Sequence, residues 1–579
     1  MKMLRLYSLS TFLIPIMLSC SKSKAEKQAT TSGKDTSVIP VTVKPQTDVE
    51  IAKTQGFFLN DWAAKTFTTP TTADVTKPAA SATVTINVDY SNVLAKVSKY
   101  LFGNNTNPYM GQIVTEPTLI NNLKALSPNI LRFPGGNISS VYFWDGKIPA
   151  DAPATLYDSD GNSTTADYWL GNNTAGWTLS LDNYYNTLQQ TNSQGIITIN
   201  YSYARYGLSA HPDQVAAHLA AEWVRHDKGR TKYWEIGNEN NGPWQAGWKI
   251  DLANNKDAQP QIITGELYGK HFKVFADSMR KAATETGATI KIGAQLIQTN
   301  PVNSWNVVDK TWNSGLFASA GDYPDFYIVH DYYTAQTNLD AATILNSAVS
   351  ESKIMMDWMN TTTQQGGVAL KPIALTEWNI FATGSKQMVS NIAGIHATMV
   401  LGELIKDQFG MASRWDLANG YANGDDMGMF SSGDEPDNAT KWNARPAFYY
   451  MYYFQKYFGD KMVGSSVTGS NDILSYASSF SSGQAGAVIV NKGTSSQVIN
   501  VNMQNFAPGA RYYYYTLTGG TDNGEFSRKV YINGNGPTSV SGGPANYQQL
   551  AASSATVNGG IKVSIPPRSV VFLVVDGKK

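Results

Sequence analysis

The stretch Tyr233-Trp234-Glu235-Ile236-Gly237-Asn238-Glu239-Asn240-Asn241-Gly242-Pro243-Trp244 is an apolar run that stops on a polar turn. Its aromatic and branched residues read as a buried β-strand, and Gly237 and Gly242-Pro243 punctuate the turn that follows. An ionisable group placed where an apolar run ends costs stability unless something uses it. The same grammar recurs along the chain. Short apolar runs stand at 100–103, 130–133, 195–200, 290–294, 326–330, 372–376 and 412–415, separated by helix-like stretches such as 214–224, 268–284 and 392–405. Eight β runs alternating with helices predict an α/β fold, a (β/α)8 TIM barrel over residues 96–445.

Beyond the barrel the texture changes. Helical periodicity fades after Phe458, and Val-, Ile- and Tyr-rich runs at 487–490, 498–501, 512–515 and 569–575 are divided by Gly, Ser and Asn. This predicts a C-terminal all-β sandwich over residues 446–579. Val84-Thr85-Ile86-Asn87-Val88 alternates apolar and polar, so residues 81–95 are expected as an N-terminal strand joining that sandwich. Residues 21–80 are rich in Thr, Ser, Lys, Ala and Pro and read as a flexible tether; one apolar patch, 56–62, is expected to dock on the body. Residues 1–20 carry Lys2 and Arg5 ahead of a short apolar segment ending at Ser19-Cys20. They resemble a lipoprotein-type signal peptide with Cys20 as the lipidation site. The expectation is a secreted or cell-envelope bacterial lipoprotein, touching a membrane only through that N-terminal lipid anchor.

Composition narrows the chemistry. With 42% hydrophobic and 16% charged residues, the chain is globular rather than disordered. Lys+Arg and Asp+Glu are both 45, so no global field draws it to nucleic acid, and no such partner is expected. Cys20 is the only cysteine, which excludes disulfides and thiol catalysis. The histidines offer no His-x-x-x-His pair, and no Gly-rich phosphate loop follows a strand, so neither metal nor cofactor is expected. The 14 Trp and 31 Tyr supply flat apolar faces for sugar rings, whose hydroxyls need polar partners; a carbohydrate substrate fits.

Polar residues just past strand C-termini converge in such a barrel. Three strand ends carry them: Arg132-Phe133-Pro134-Gly135-Gly136-Asn137, Asn238-Glu239, and Glu377-Trp378-Asn379. Two carboxylates facing each other across a sugar are what glycosidic cleavage needs. One protonates the leaving oxygen; the other attacks the anomeric carbon or activates water. Glu239 and Glu377 are therefore the candidate catalytic pair, and a separation of roughly 5–5.5 Å would mark double displacement. Arg132 would keep the nucleophile ionised, while Trp244 and Trp234 would keep the acid partly dry and its pKa raised. Gly135-Gly136 reads as a tight turn letting Arg132 and Asn137 approach.

In this order the three motifs resemble clan A of the retaining glycoside hydrolases. Residues 237–247 resemble the acid/base motif of family 51, chiefly α-L-arabinofuranosidases, and residues 131–137 and 377–379 resemble that family's other two blocks. The resemblance implies hydrolysis of polysaccharide or oligosaccharide with Glu239 as acid/base and Glu377 as nucleophile. It also implies Asn238 on the hydroxyl beside the anomeric centre, His330 and Tyr332 contacting or orienting the nucleophile, and Trp415 flooring the pocket. Arg132, Asn137, Trp244 and Trp378 complete the expected substrate-binding set. Two departures stand out: residues 102–107 lack the Glu that the family's first strand delivers, and 145–177 form a long polar insertion able to wall a pocket or line a cleft. Two other readings are an endo-β-glycanase of the same clan (agarase-, xylanase- or glucanase-like) and a non-catalytic surface glycan-binding lipoprotein. The latter predicts loss of one catalytic Glu, and both are present. Asp158-Ser159-Asp160-Gly161-Asn162 resembles the start of a calcium loop but lacks its Gly and closing Glu, so it reads as a polar turn.

Overall fold

A computed structural model describes residues 43–578, and the lipidation site expected at Cys20 lies outside them. Eight parallel strands close into a barrel: β1 Gly103–Asn105, β2 Ile130–Phe133, β3 Gln194–Ile199, β4 Tyr233–Ile236, β5 Lys291–Gln295, β6 Phe326–Tyr332, β7 Ile373–Asn379 and β8 Met411–Arg414. A helix follows each: α1 Pro117–Leu126, α2 Leu181–Thr191, α3 Pro212–Asp227, α4 Gly265–Thr286, α5 Asp309–Ala320, α6 Ala341–Gln365, α7 Asn391–Lys406 and α8 Pro446–Tyr457. Covered by helices outside and by side chains inside, the strands are apolar on both faces, which is why they read as continuous runs. Ser180, Thr264, Asp340 and Ser390 each accept a backbone N–H at the start of a helix. Such caps contribute about 1 kcal/mol apiece. The first strand starts later than the run at 100–103 suggests, because Lys99–Leu101 forms a 3₁₀ turn capped by Ser98.

The sandwich begins at the strand Lys461–Thr468, not at residue 446. Pro446 opens α8 instead, and the helix buries its Tyr and Phe side chains from Phe448 to Phe454 as the last element of the barrel. Val84–Lys96 lies inside the large sheet, antiparallel to Lys461–Thr468 and parallel to Gln497–Gln504. Its inward Val84, Ile86 and Val88 share a core with Val463, Ile489, Val571 and Leu573. The fold is thus a TIM barrel with a C-terminal sandwich that takes an N-terminal strand. Helix α7 is buried along nearly its whole length because barrel and sandwich cover it from both directions; Gly402 leaves room there for the ring of Tyr476.

The tether expectation fails between residues 43 and 80. The 3₁₀ turn Gly56–Leu59 seats Phe58 beneath the barrel, 5.2 Å from the Tyr233 ring and 5.6 Å from that of Phe326. Thr54 O accepts from Ile373 N at 2.8 Å, and Thr72–Asp74 pairs with Ala552–Thr556. The reason is physical: inward-facing Tyr100, Tyr233 and Phe326 leave an apolar hole at the barrel floor, and the aromatic patch within the polar segment fills it.

Candidate active site

Arg132, on β2, is fully enclosed at the upper end of the barrel. Its Nε donates to Glu235 Oε2 at 2.6 Å, Nη1 to Glu377 Oε1 at 2.7 Å and Asn105 Oδ1 at 3.0 Å, and Nη2 to Asn238 Oδ1 at 2.7 Å. One guanidinium thus ties the ends of β1, β2, β4 and β7 together, using the fixed fork that only Arg offers. Glu377 receives a second donor, the Tyr332 hydroxyl, at 2.9 Å on Oε2. A bulge aims it: Val329 pairs with Leu375 but His330 pairs with Glu377, so Thr376 is an extra residue in β7. Consecutive side chains therefore serve the interior, Thr376 Oγ1 meeting His330 Nε2 at 3.0 Å while Glu377 meets Arg132.

Glu239 sits past the end of β4 with φ +42°, a left-handed conformation uncommon for a residue with a Cβ. Its Oε1 lies 3.1 Å from His330 Nδ1, and its Oε2 accepts from Trp244 Nε1 at 2.6 Å. Glu239, His330 and Glu377 each bring an atom within 4.8 Å of the other two. That trio has the spacing of a metal site, yet its groups are engaged by Arg132, Tyr332, Trp244 and Thr376. Burial pushes the Glu239 carboxyl up, but the His330 and Trp244 hydrogen bonds and the Arg132 charge outweigh it and hold the group below its ordinary value. Burial pushes His330 down, and the charges of Glu377 and Glu239 more than reverse that, raising it. Between the two groups the proton therefore rests on His330. The expected drying of the acid by tryptophan is corrected: Trp244 stabilises the ionised form with its N–H. Trp234 faces outward, its ring 6.1 Å from that of Trp223 on α3.

A cavity of about 1080 Å³ opens above these groups, lined in part by Glu239, Glu377, His330, Tyr332, Asn137, Trp244 and Trp415. Trp415 packs so closely on Gly136 that a Cβ there would come within 2.4 Å of its ring. Asn137 accepts from Gln245 Nε2 at 2.8 Å. Three expected binding residues do not line the cavity. Arg132 lies beneath it, holding Glu377. Asn238 is buried, with Nδ2 lacking a protein partner. Trp378 is wholly buried on the opposite face of β7, near Tyr333, because strand alternation turns it outward once Glu377 points in. Residues 145–177 stay off the cavity lining; they form a hairpin, Thr155–Tyr157 with Ser163–Thr165, anchored by Lys249 Nζ donating to Gly161 O at 3.0 Å. Asp158 there accepts the N–H groups of Asp160 and Asn162, the geometry of a polar turn. Sequence reasoning missed Glu235, Asn105 and Thr376. Alternation in Tyr233–Ile236 carried the signal for Glu235: outward Trp234 and Ile236 require it to face in.

A family model for the α-L-arabinofuranosidase 1 domain matches residues 122–347, a span holding Arg132, Glu239, His330 and Tyr332. The chain is similar to the family 51 α-L-arabinofuranosidases of clan A. An intracellular exo-α-(1→5)-L-arabinofuranosidase of Bifidobacterium longum is 24% identical over 347 residues, 54% of this chain and 55% of that protein. One of the same description from Halalkalibacterium halodurans is 24% identical over 272 residues, 43% and 49% of the two chains. This arabinofuranosidase-like chain spans about half the length of the curated relatives it matches. The family 51 α-L-arabinofuranosidase structure from Thermotoga petrophila RKU-1 shares the fold, with TM-score 0.58 and 20% identity, over 85% of this chain and all of that one. The relatives correct the localisation expected from residues 1–20: both are named as intracellular proteins, which points away from a secreted, lipid-anchored one.

Proposed function

We propose that the chain is a retaining glycoside hydrolase that releases α-L-arabinofuranosyl residues by double displacement. One observation carries the reading: carboxylate oxygens of Glu239 and Glu377, from β4 and β7, lie within 4.8 Å of each other. That spacing suits a nucleophile and an acid on one sugar and leaves no room for the water that inversion places between groups roughly 6.5–9.5 Å apart. Glu377, with Arg132 on one oxygen and Tyr332 on the other, attacks the anomeric carbon. Its new C–O bond forms as the bond to the leaving oxygen breaks, and Glu239 gives that oxygen a proton. His330, 3.1 Å away, supplies the proton to Glu239. In the second step Glu239 takes a proton from water, whose oxygen displaces Glu377 with retention of configuration, and passes that proton back to His330. Trp415 supplies a flat floor.

Turnover of an aryl α-L-arabinofuranoside by the Glu377→Ala protein tests this. Activity is expected to disappear and to return with azide as a glycosyl azide. Undiminished turnover, or inversion of the anomeric centre in the wild-type product, would overturn the reading.

A further inference from the structure

The loop after β5 exposes apolar surface in an unusual way. Trp305 is the most exposed large apolar side chain among the described residues, at 76%, and Val302 and Val307 flank it at 66% and 72%. Yet the loop beneath is pinned. Asn306 is buried, and its Nδ2 donates to Asn241 O at 2.7 Å and Asp309 Oδ1 at 2.8 Å. Asn241 Nδ2 donates to Asp309 Oδ1 at 2.8 Å, and Ser304 Oγ to Asp309 Oδ2 at 2.6 Å. Asn241 stands two residues past Glu239, so one polar network fixes both the Glu239 turn and the Trp305 loop. A rigid scaffold beneath a solvent-facing indole is the arrangement of a preorganised contact surface.

The ring of Trp305 lies 6.5 Å from that of Trp244, tilted by 44°. Trp244 in turn holds Glu239 through its N–H. The two rings therefore make a continuous shelf leading away from Glu239, and Gln298, Asn300 and Ser304 bring polar groups to the same cavity. At about 1080 Å³ the cavity slightly exceeds the range that encloses a drug-sized ligand and is more than one pentose needs.

We propose that Trp305, with Trp244, is a stacking shelf for sugar rings on the leaving-group side of the cleavage point, so that the chain selects substrates whose leaving group is itself two or more sugar residues long. The side follows from Glu239 as proton donor, and in that respect the inference rests on the function proposed above. Tyr332, Phe381 and Trp415 line the same cavity.

Titration calorimetry on the Glu377→Gln protein, with and without Trp305→Ala, tests it. The probes are α-(1→5)-arabino-, β-(1→4)-xylo- and β-(1→4)-gluco-oligosaccharides of two to five residues. For one series, affinity should rise with length. Trp305→Ala should cut that rise about tenfold, and Trp305→Phe should keep most of it. A rise untouched by Trp305→Ala, or no rise in any series, would sink the shelf. Should the wild-type protein hydrolyse none of the probes while a Trp305-dependent rise persists, the hydrolase reading fails and the shelf stands. The exposure of Trp305 makes a folding defect in the Ala variant readily checked by its melting temperature.

Discussion

Replacing Arg132 by Met tests the electrostatic core of the site. The guanidinium is fully enclosed and is the cation shared by Glu235 and Glu377, with side-chain exposures of 0% and 4%. Opposite charges about 4 Å apart in an effective dielectric of about 20 attract by about 4 kcal/mol. Losing the pair leaves the Glu377 carboxylate without the cation that holds and aims it, and kcat/KM on an aryl α-L-arabinofuranoside should fall by about 10³-fold. Leaving Glu235 buried without its partner should cost about 3–5 kcal/mol of stability. With an unfolding entropy near 2.1 cal/mol/K per residue, that is a drop of about 2.5–4 °C in Tm. Arg132→Lys keeps the charge but not the four-way fork, so its loss should be smaller, about 10- to 100-fold. Both variants are checked by rate assays beside thermal melts. A Met variant within tenfold of wild-type kcat/KM would refute the claim that Arg132 holds Glu377 for attack.

Two further outcomes follow from the site and the floor. Glu239 is held below its ordinary 4.5 and His330 above its ordinary 6.5, so the first adds stability that is lost as pH falls through its folded value. The second adds stability that is lost as pH rises through its own. The pair's contribution should peak between pH 4.5 and 6.5 and vanish in His330→Gln, as read by the wild-type minus variant difference in denaturant unfolding across pH; a flat difference would refute it. Phe58→Ala should cost about 3–5 kcal/mol by opening the barrel floor while leaving KM unchanged, because the residue lies at the end opposite the cavity. An unchanged Tm would show that residues 43–80 are not structural after all.

The sequence by itself determined the architecture, because periodicity is local: runs of four to six residues spaced by helical stretches admit few folds but the barrel, and Val84–Val88 announced its sheet by alternation. It also put Glu239 and Glu377 at strand ends, since an ionisable group where an apolar run stops is visible in one dimension. Alternation could have gone further and turned Trp378 out and Glu235 in. What only the tertiary structure decided depends on register and on distant partners. The extra residue Thr376 in β7 aims Glu377 at Arg132, and no local pattern reveals a bulge. Trp244 lowers the Glu239 pKa instead of raising it, because the outcome hangs on where one N–H points. The patch around Phe58 reads as a docking point, but the hole it fills exists only once the barrel has closed, and Trp305 reads as an exposed aromatic until Asn306 and Asp309 tie its loop to the turn of Glu239.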